Sequence, residues 1–259
     1  MSIVLKTPSI GILKNSPSNG VINNREGFSP KSYSNLSFWA TAQDFSSITK
    51  DGGDFVSQWG DKSSFSNHAT QITSINQPLY VASGINGNPA LNFKGAGFDD
   101  WMHLPDNTIS NDDYTIFGVF QLTAVAGSTS YLIGTNTPNR LYVLADSPSA
   151  FGIDKIKGVS GTTPDIVGSE TADLNPHIVT QTKEGTSLKL KVDDNVEEST
   201  TTTATGAVTS LNIGSFNNGL NGLLEGYIGE IIMYNRALSS DERLVLQENY
   251  LSPQWGISV

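Results

Sequence analysis

The sequence predicts an all-β sandwich that carries one short helix at its C-terminal end. Short β-prone segments, separated by turn residues, recur through the middle of the 259-residue chain. Only 15% of the residues are charged, and Ser, Thr, Asn and Gly, which favour strands and turns over helices, take the polar positions. Near the end, Ser239 stands three residues before Glu242, the spacing of a helix-initiating capping box.

The first 34 residues differ in composition from the rest of the chain. Ser, Pro, Asn and Gly are dense there, and the apolar residues stand isolated. This pattern predicts an extended arm over residues 1–34, although a floppy tail has the same composition. Lys6 and Lys14 interrupt the apolar part, so no secretory signal peptide is predicted. We expect the arm to anchor the protein on a neighbouring chain through its apolar residues, Ile3, Leu5, Ile10, Ile12 and Leu13.

The sandwich is expected to span residues 35–259. Residues 114–122 are apolar at positions facing both ways, which predicts a central strand. Residues 188–192 alternate between apolar residues and lysines, so the apolar ones should face the core. The Asp-Asp-Asn turn at 193–195 then leads into a second β-prone segment, which predicts a hairpin.

The C-terminal part predicts the last strand and the helix. Residues 226–234 are apolar and β-prone, as expected of a buried strand. The helix that starts at Ser239 is expected to end at Pro253. Its predicted apolar face consists of Leu244, Val245, Tyr250 and Leu251.

The chain resembles a known family at both ends. Its ending, NRALS…E followed by YL…WGI, is similar to the closing segment of concanavalin A-like lectin/glucanase (laminin-G-like) jelly rolls of phage structural and bacterial surface proteins. The motifs V..W.D.S (56–63), N.A (67–69), P.Y (78–80) and NG.PAL.F.G (86–95) resemble the family's opening. The resemblance covers residues 35–257. It implies a jelly-roll β-sandwich in which Trp39 and Trp59 are packing residues.

Composition limits the partners. The formal net charge of −10 opposes binding to nucleic acid or to an anionic membrane surface. The chain has no cysteine, which excludes disulfides, thiolate catalysis and cysteine-based zinc sites. No apolar run reaches the length of about 18 residues that marks a membrane-spanning helix, so no membrane insertion is expected.

The search for catalytic residues yields none. The resemblance implies that hydrolases of this family carry Glu-x-Asp-x-Glu on a core strand, and this pattern is absent. The pairs Glu225/Glu230 and Glu197/Glu198 are interpreted as solvated surface charges whose members point apart. The histidines are far apart in sequence, and His103 is expected to be an exposed strand residue. A Ser/His/Asp triad stays open, because geometry rather than spacing defines it. The chain is therefore predicted not to be an enzyme.

No metal or other cofactor is predicted, although calcium is left open. The resemblance implies calcium binding through loop oxygens in many laminin-G-like domains. The candidate acidic pairs match no EF-hand and are interpreted as turn formers. They are Asp99 with Asp100, Asp106 with Asn107, and Asp112 with Asp113.

Two segments combine an aromatic residue with amides or carboxylates, as glycan contacts require. They are residues 97–101 and the loop 215–222, although an ordinary strand start and an ordinary long turn are the favoured interpretations. The candidate ligand-binding residues are Asp99, Asp100, Trp101, Asn217, Asn218 and Asn221.

The resemblance and the composition together favour a non-enzymatic virion or surface protein. It would be a phage capsid decoration or fibre protein, assembled in the host cytoplasm and displayed on the virion surface. We expect a homo-oligomer that contacts other virion proteins through the arm and a host glycan through the sandwich. The alternatives are a polysaccharide-degrading enzyme on the same scaffold and a secreted bacterial adhesion module.

Overall fold

The computed structural model describes residues 28–94, 97–124, 129–135, 141–146, 155–161, 165–216 and 218–259. Over these residues the chain forms two antiparallel sheets with a hydrophobic core between them, which confirms the predicted β-sandwich. Three single 3₁₀ turns, Pro30–Ser32, Phe45–Ser47 and Ser74–Asn76, interrupt the connections. Within the described part, every helix is too short or too polar to span a membrane.

Within the described residues the first sheet has eight strands, and we call it the helix-side sheet because the C-terminal helix covers its outer face. Its path is β15-β14-β13-β8-β17-β6-β5, and β1 pairs with the second half of β17. The strands are β1 (Leu36–Thr41), β5 (Leu79–Ile85), β6 (Asn88–Lys94), β8 (Tyr114–Leu122), β13 (Pro176–Glu184), β14 (Ser187–Val192), β15 (Glu198–Thr201) and β17 (Glu225–Tyr234).

The second sheet has nine strands in the described residues, in the order β12-β11-β10-β9-β16-β7-β4-β3-β2. Several of them are only two residues long, so this sheet is more fragmented than the first. The strands are β2 (Ile48–Lys50), β3 (Val56–Trp59), β4 (Ala69–Thr70), β7 (Met102–His103), β9 (Ser130–Thr135), β10 (Leu141–Asp146), β11 (Lys155–Ser160), β12 (Ile166–Thr171) and β16 (Asn212–Ile213).

The core between the sheets confirms the strand predictions. β8 pairs with β13 on one side and β17 on the other, so it is a central strand. β14 alternates between buried apolar residues and half-buried lysines, and it forms the predicted hairpin with β15. Trp59 is fully buried in this core. Trp39 is also buried, but it packs in the cluster beneath the C-terminal helix.

The C-terminal helix consists of an α segment (Ser240–Leu246), a π segment (Gln247–Leu251) and a final α segment (Ser252–Trp255). Its capping box is confirmed, since the Glu242 N–H donates to Ser239 Oγ at 3.2 Å and the Ser239 N–H donates to Glu242 Oε2 at 2.8 Å. The predicted apolar face was wrong at Leu244, whose side chain is 42% exposed. The buried positions of the helix are spaced by three and four residues, and they include the polar Arg243 and Gln247. Because these two residues are polar, the sequence does not show the full apolar periodicity of the buried face.

The expected end of the helix at Pro253 was also wrong. The helix continues to Trp255 and ends at Gly256, which has a left-handed φ of 66°. The π segment comes just before Pro253, so the proline falls in the first turn of the last α segment. The Ser252 N–H donates to the Gln247 carbonyl, so the turn before Pro253 is widened to the π spacing, and the helix passes the proline through this widened turn.

A buried carboxylate links this helix to the sheet. Glu230, on β17, is 1% exposed, so its interpretation as a solvated surface charge was wrong. Its Oε1 accepts hydrogen bonds from Trp39 Nε1 at 2.6 Å and from the Tyr250 hydroxyl at 2.7 Å. Its Oε2 accepts a bond from Trp255 Nε1 at 2.8 Å. Burial raises the pKa of Glu230, and the three donors oppose that shift.

The pair Glu197/Glu198 needs a similar correction. Glu197 accepts a hydrogen bond at 2.7 Å from Arg243, which is only 5% exposed and which also donates to the Leu238 carbonyl. An ion pair therefore fixes this carboxylate, and solvent alone does not surround it. Sequence spacing could not find the pair, because the partners are 46 residues apart.

The described residues before β1 lie on the sandwich. The Tyr234 hydroxyl donates to the Pro30 carbonyl at 2.7 Å, and Phe28 and Tyr33 pack against the cluster beneath the helix. These residues belong to the segment predicted as an arm. The five proposed anchoring residues, Ile3, Leu5, Ile10, Ile12 and Leu13, lie outside the described residues, so the arm and its boundary stay predictions.

Candidate functional site

The two segments that the sequence singled out for glycan contact lie side by side. Gly219, in the connection between β16 and β17, has a φ of 79°, and Trp101 lies directly against it. A Cβ at Gly219 would stand 2.4 Å from Trp101 Nε1, so only glycine suits both the backbone conformation and this close approach. Trp101 therefore supports the loop 215–222 from one side.

The same connection also lines a pocket of about 570 Å³. The rings of Tyr131, on β9, and Phe216 stack with their centroids 4.9 Å apart and an interplanar angle of 24°. We call this cavity the Tyr131–Phe216 pocket. Its described lining residues are Thr129, Tyr131, Phe216, Leu220, Asn221, Gly222, Leu223 and Glu225.

Backbone hydrogen bonds close the loop between its described residues. Phe216 and Asn221 exchange two of them, at 2.9 and 3.3 Å, so the loop is a small closed hairpin. The Gly219 N–H donates to Ser215 Oγ at 3.1 Å. Gly222 lies against the Tyr131 ring, where a Cβ would stand 2.1 Å from a ring carbon. These contacts hold the described part of the loop against the Tyr131 ring.

The segment 97–101 plays a supporting role. Asp100 is 2% exposed, and its Oδ2 accepts a hydrogen bond at 3.0 Å from the N–H of Lys94, the last residue of β6. Burial raises the pKa of Asp100 to about 6. Asn76 donates to the Asp99 carbonyl at 3.0 Å, and Gln71 donates to the Trp101 carbonyl at 3.0 Å. These bonds fix the segment behind the loop.

The structure thus separates the predicted site residues. Asn221 lines the pocket and Asn218 lies in the same loop, while Asp99, Asp100 and Trp101 are outside the lining. Asn217 is outside the described residues. The sequence analysis did not place Tyr131 or Glu225 among the candidate glycan contacts. Tyr131 comes from a distant strand, and nothing in its local pattern signals that it meets Phe216.

The other candidates for chemistry have structural partners. His177 is 3% exposed and lies between Asp193 (Nδ1 to Oδ2, 2.6 Å) and Asp173 (Nε2 to Oδ1, 3.1 Å). Burial lowers its pKa, but the two carboxylates outweigh burial and raise the pKa overall. His68 accepts a hydrogen bond from the Asp61 N–H. His103 is half-buried on β7 and not exposed as predicted, because the neighbouring strands β4 and β16 flank it.

Three of the acids considered for calcium accept hydrogen bonds from backbone N–H groups that are distant in sequence, so they connect separate loops. Asp106 accepts from the Ser210 N–H at 2.8 Å, Asp112 from the Gly206 N–H at 3.0 Å and Asp113 from the Gly185 N–H at 2.7 Å. Asn107 has a φ of 64°, as a turn residue can. No cluster of three or more potential metal ligands occurs among the residues that the structure describes.

Comparison with known proteins rests on structure, since neither a family profile nor a characterised protein sequence matches the chain. Trypanosoma rangeli sialidase in complex with the inhibitor DANA matches with a TM-score of 0.54 and 16% identity, over 81% of this chain and 32% of the sialidase. Domain 4 of AbnA, a GH43 extracellular arabinanase from Geobacillus stearothermophilus, in complex with arabinotriose, matches with a TM-score of 0.51 and 17% identity. That match covers 80% of this chain and 95% of the domain.

These similarities establish a fold. The chain spans about a third of the length of the sialidases, and the identities are low. They support the coarser part of the family resemblance, a β-sandwich of the kind found in glycan-binding proteins and glycosidases. They contradict the prediction that the chain is not an enzyme, because its structural neighbours are enzymes or enzyme domains. The sequence argument was wrong because it relied on local spacing, and catalytic residues can come from segments that are distant in sequence. The chain has a scaffold that carbohydrate-active proteins use.

Proposed function

We propose that the chain binds glycans through the Tyr131–Phe216 pocket. The observation that carries this proposal is a stacked aromatic pair in a cavity beside the amide of Asn221 and the carboxylate of Glu225. Sugar rings stack on aromatic faces, and their hydroxyl groups pair with amides and carboxylates. The arabinanase domain with the same fold was solved in complex with arabinotriose, which adds support.

A binding assay with matched variants tests the proposal. The full chain is titrated by isothermal calorimetry with a panel of oligosaccharides that differ in sugar and charge. Replacement of Phe216 by Ala removes half of the stack, and we expect at least about a tenfold loss of affinity. The control is Phe65→Ala, which removes a 62% exposed aromatic residue that lines a different cavity. Equal binding by the folded Phe216→Ala variant and the wild type would refute the proposal.

Glycan cleavage is the second candidate, because two acidic residues, Glu225 and Asp100, are both connected to the backbone of Lys94. Glu225 lines the pocket and is the register partner of Lys94, whose N–H donates to Asp100. A pKa of about 6 keeps part of Asp100 protonated near neutral pH, as a general acid requires. The 2% exposure of Asp100 restricts its contact with substrate, and we therefore place binding first.

Release of reducing sugar from the panel glycans tests cleavage directly. If the two carboxyl groups catalyse it, Asp100→Asn and Glu225→Gln each abolish the release. Asp99→Asn, a neighbouring exposed acid, serves as the control. Release that persists in both variants would assign the chemistry to other residues.

We also retain as a proposal that the protein is a homo-oligomeric virion component, held by contacts of residues 1–34 with other virion proteins and assembled in the host cytoplasm. The family resemblance is its only support. Mass spectrometry of purified virus particles tests the location, and light scattering of the full chain against residues 28–259 tests whether the first 27 residues hold the oligomer together. Calcium dependence of binding is tested by adding a chelator to the calorimetry.

A further inference from the structure

We propose that the Tyr131–Phe216 pocket selects uncharged glycans and rejects acidic ones, and that Glu225 sets this selectivity. The inference rests on the proposed function of the pocket. Among the eight described lining residues, Glu225 is the only Asp, Glu, Lys, Arg or His. It is exposed at the start of β17, so its carboxylate meets a ligand from the solvent side.

Acidic sugars carry a carboxylate that proteins bind with arginine or lysine. The described lining of the pocket contains neither residue. The sequence at the two gaps nearest to it along the chain, residues 125–128 and residue 217, contains no arginine or lysine either. A carboxylated sugar in the pocket would therefore find no lysine or arginine among the described lining residues, and its carboxylate would lie near that of Glu225.

The lysine on the neighbouring strand is engaged elsewhere. Lys94 is the register partner of Glu225, which places their Cα atoms on adjacent strands. Its Nζ lies over the ring of Phe98, 4.9 Å from the centroid, and over that of Phe55 at 5.2 Å. These cation–π contacts direct the ammonium group to two aromatic rings, so it leaves the negative charge of Glu225 in place.

The charge of the whole chain acts in the same direction. A net charge of −10 and an isoelectric point of about 4.6 give a negative field that slows the approach of polyanions. Because this field is general, it does not identify a residue. The local contribution of Glu225 is separated from it by comparing Glu225→Gln with Glu248→Gln, an equal charge change at an exposed position on the C-terminal helix.

The test uses one glycan in two charge states. An uncharged oligosaccharide that binds the full chain is oxidised at its primary hydroxyl groups to carboxylates, and both forms are titrated by calorimetry. We expect the oxidised form to bind at least about fivefold more weakly at about 20 mM salt, since like charges about 4 Å apart repel even in water. At about 500 mM salt the difference in affinity between the uncharged and the oxidised form should be smaller. Glu225→Gln should reduce this difference as well, and Glu248→Gln should leave it unchanged.

Each outcome decides the matter. Equal or tighter binding of the oxidised form, binding of acidic panel members only, or an unchanged difference in affinity in Glu225→Gln would overturn the inference and leave glycan binding intact. If neither charge state of any panel member binds, the proposed function itself fails.

Discussion

The buried carboxylate of Glu230 should behave as an acceptor that no amide can replace. Its two oxygens serve two tryptophans on different sides, Trp39 at Oε1 and Trp255 at Oε2. A glutamine has one acceptor oxygen. Whichever way the amide turns, one indole N–H faces an NH₂ group and loses its acceptor. A buried hydrogen bond to a charged group contributes about 1.5–3 kcal/mol, so Glu230→Gln loses roughly that much for the affected tryptophan.

Removal of a buried charge partly offsets this loss, because desolvation penalises the carboxylate. A double-mutant cycle with Trp255→Phe separates the two effects. In the wild type, Trp255→Phe loses both packing and the hydrogen bond to Oε2. In the Glu230→Gln background the amide nitrogen can turn toward the vacated side, so only packing is lost. The cycle should therefore give a coupling energy of about 1.5–3 kcal/mol.

Urea unfolding followed by far-UV circular dichroism measures the four free energies, since this signal does not depend on the mutated tryptophan. Glu225→Gln makes the same chemical change at an exposed position of the same strand, and it should change stability by less than about 0.5 kcal/mol. Additivity of Glu230→Gln and Trp255→Phe within about 0.5 kcal/mol would refute the argument that the carboxylate bridges the helix and the sheet.

Three further predictions concern charge and backbone conformation. Arg236 donates two hydrogen bonds to Glu242 and lowers the pKa of Glu242 from 4.5 to about 2. The stability that Glu242 adds over Glu242→Gln should therefore be present above pH 4.5 and lost as pH falls toward 2, as measured by urea titrations. The pKa of His177 is raised, so its effect on stability depends on pH in the opposite direction. The stability that His177 adds over His177→Gln should be fully present below pH 6.5 and should be lost as pH rises through the folded-state pKa. Gly219→Ala should cost more stability than Gly87→Ala, because both glycines have a φ near 80° but only the first would meet Trp101. Equal costs in thermal unfolding would show that Trp101 does not constrain the loop.

The fold was largely predictable because its signals are local. A central strand such as Tyr114–Leu122 is apolar on both faces, and the Ser239 capping box lies within four residues. The environment of Glu230 was not predictable, since its partners lie 191, 20 and 25 residues away. A single acidic residue in a strand has the same sequence pattern whether solvent or three donors surround it. The fold had to be known first.

In the candidate site, too, the local features were predictable and the long-range contacts were not. The loop 215–222 was predicted from its composition, and two glycines there explain why the composition matters. Gly219 admits Trp101 and Gly222 admits Tyr131, each at a distance that a Cβ would forbid. The loop therefore brings aromatic residues of distant segments together through its absent side chains. The sequence analysis predicted the asparagines of the loop as ligand contacts, but its glycines determine where the aromatic surface forms. Glu225 lies at the edge of this surface, and it is the residue to which we assign the proposed selectivity.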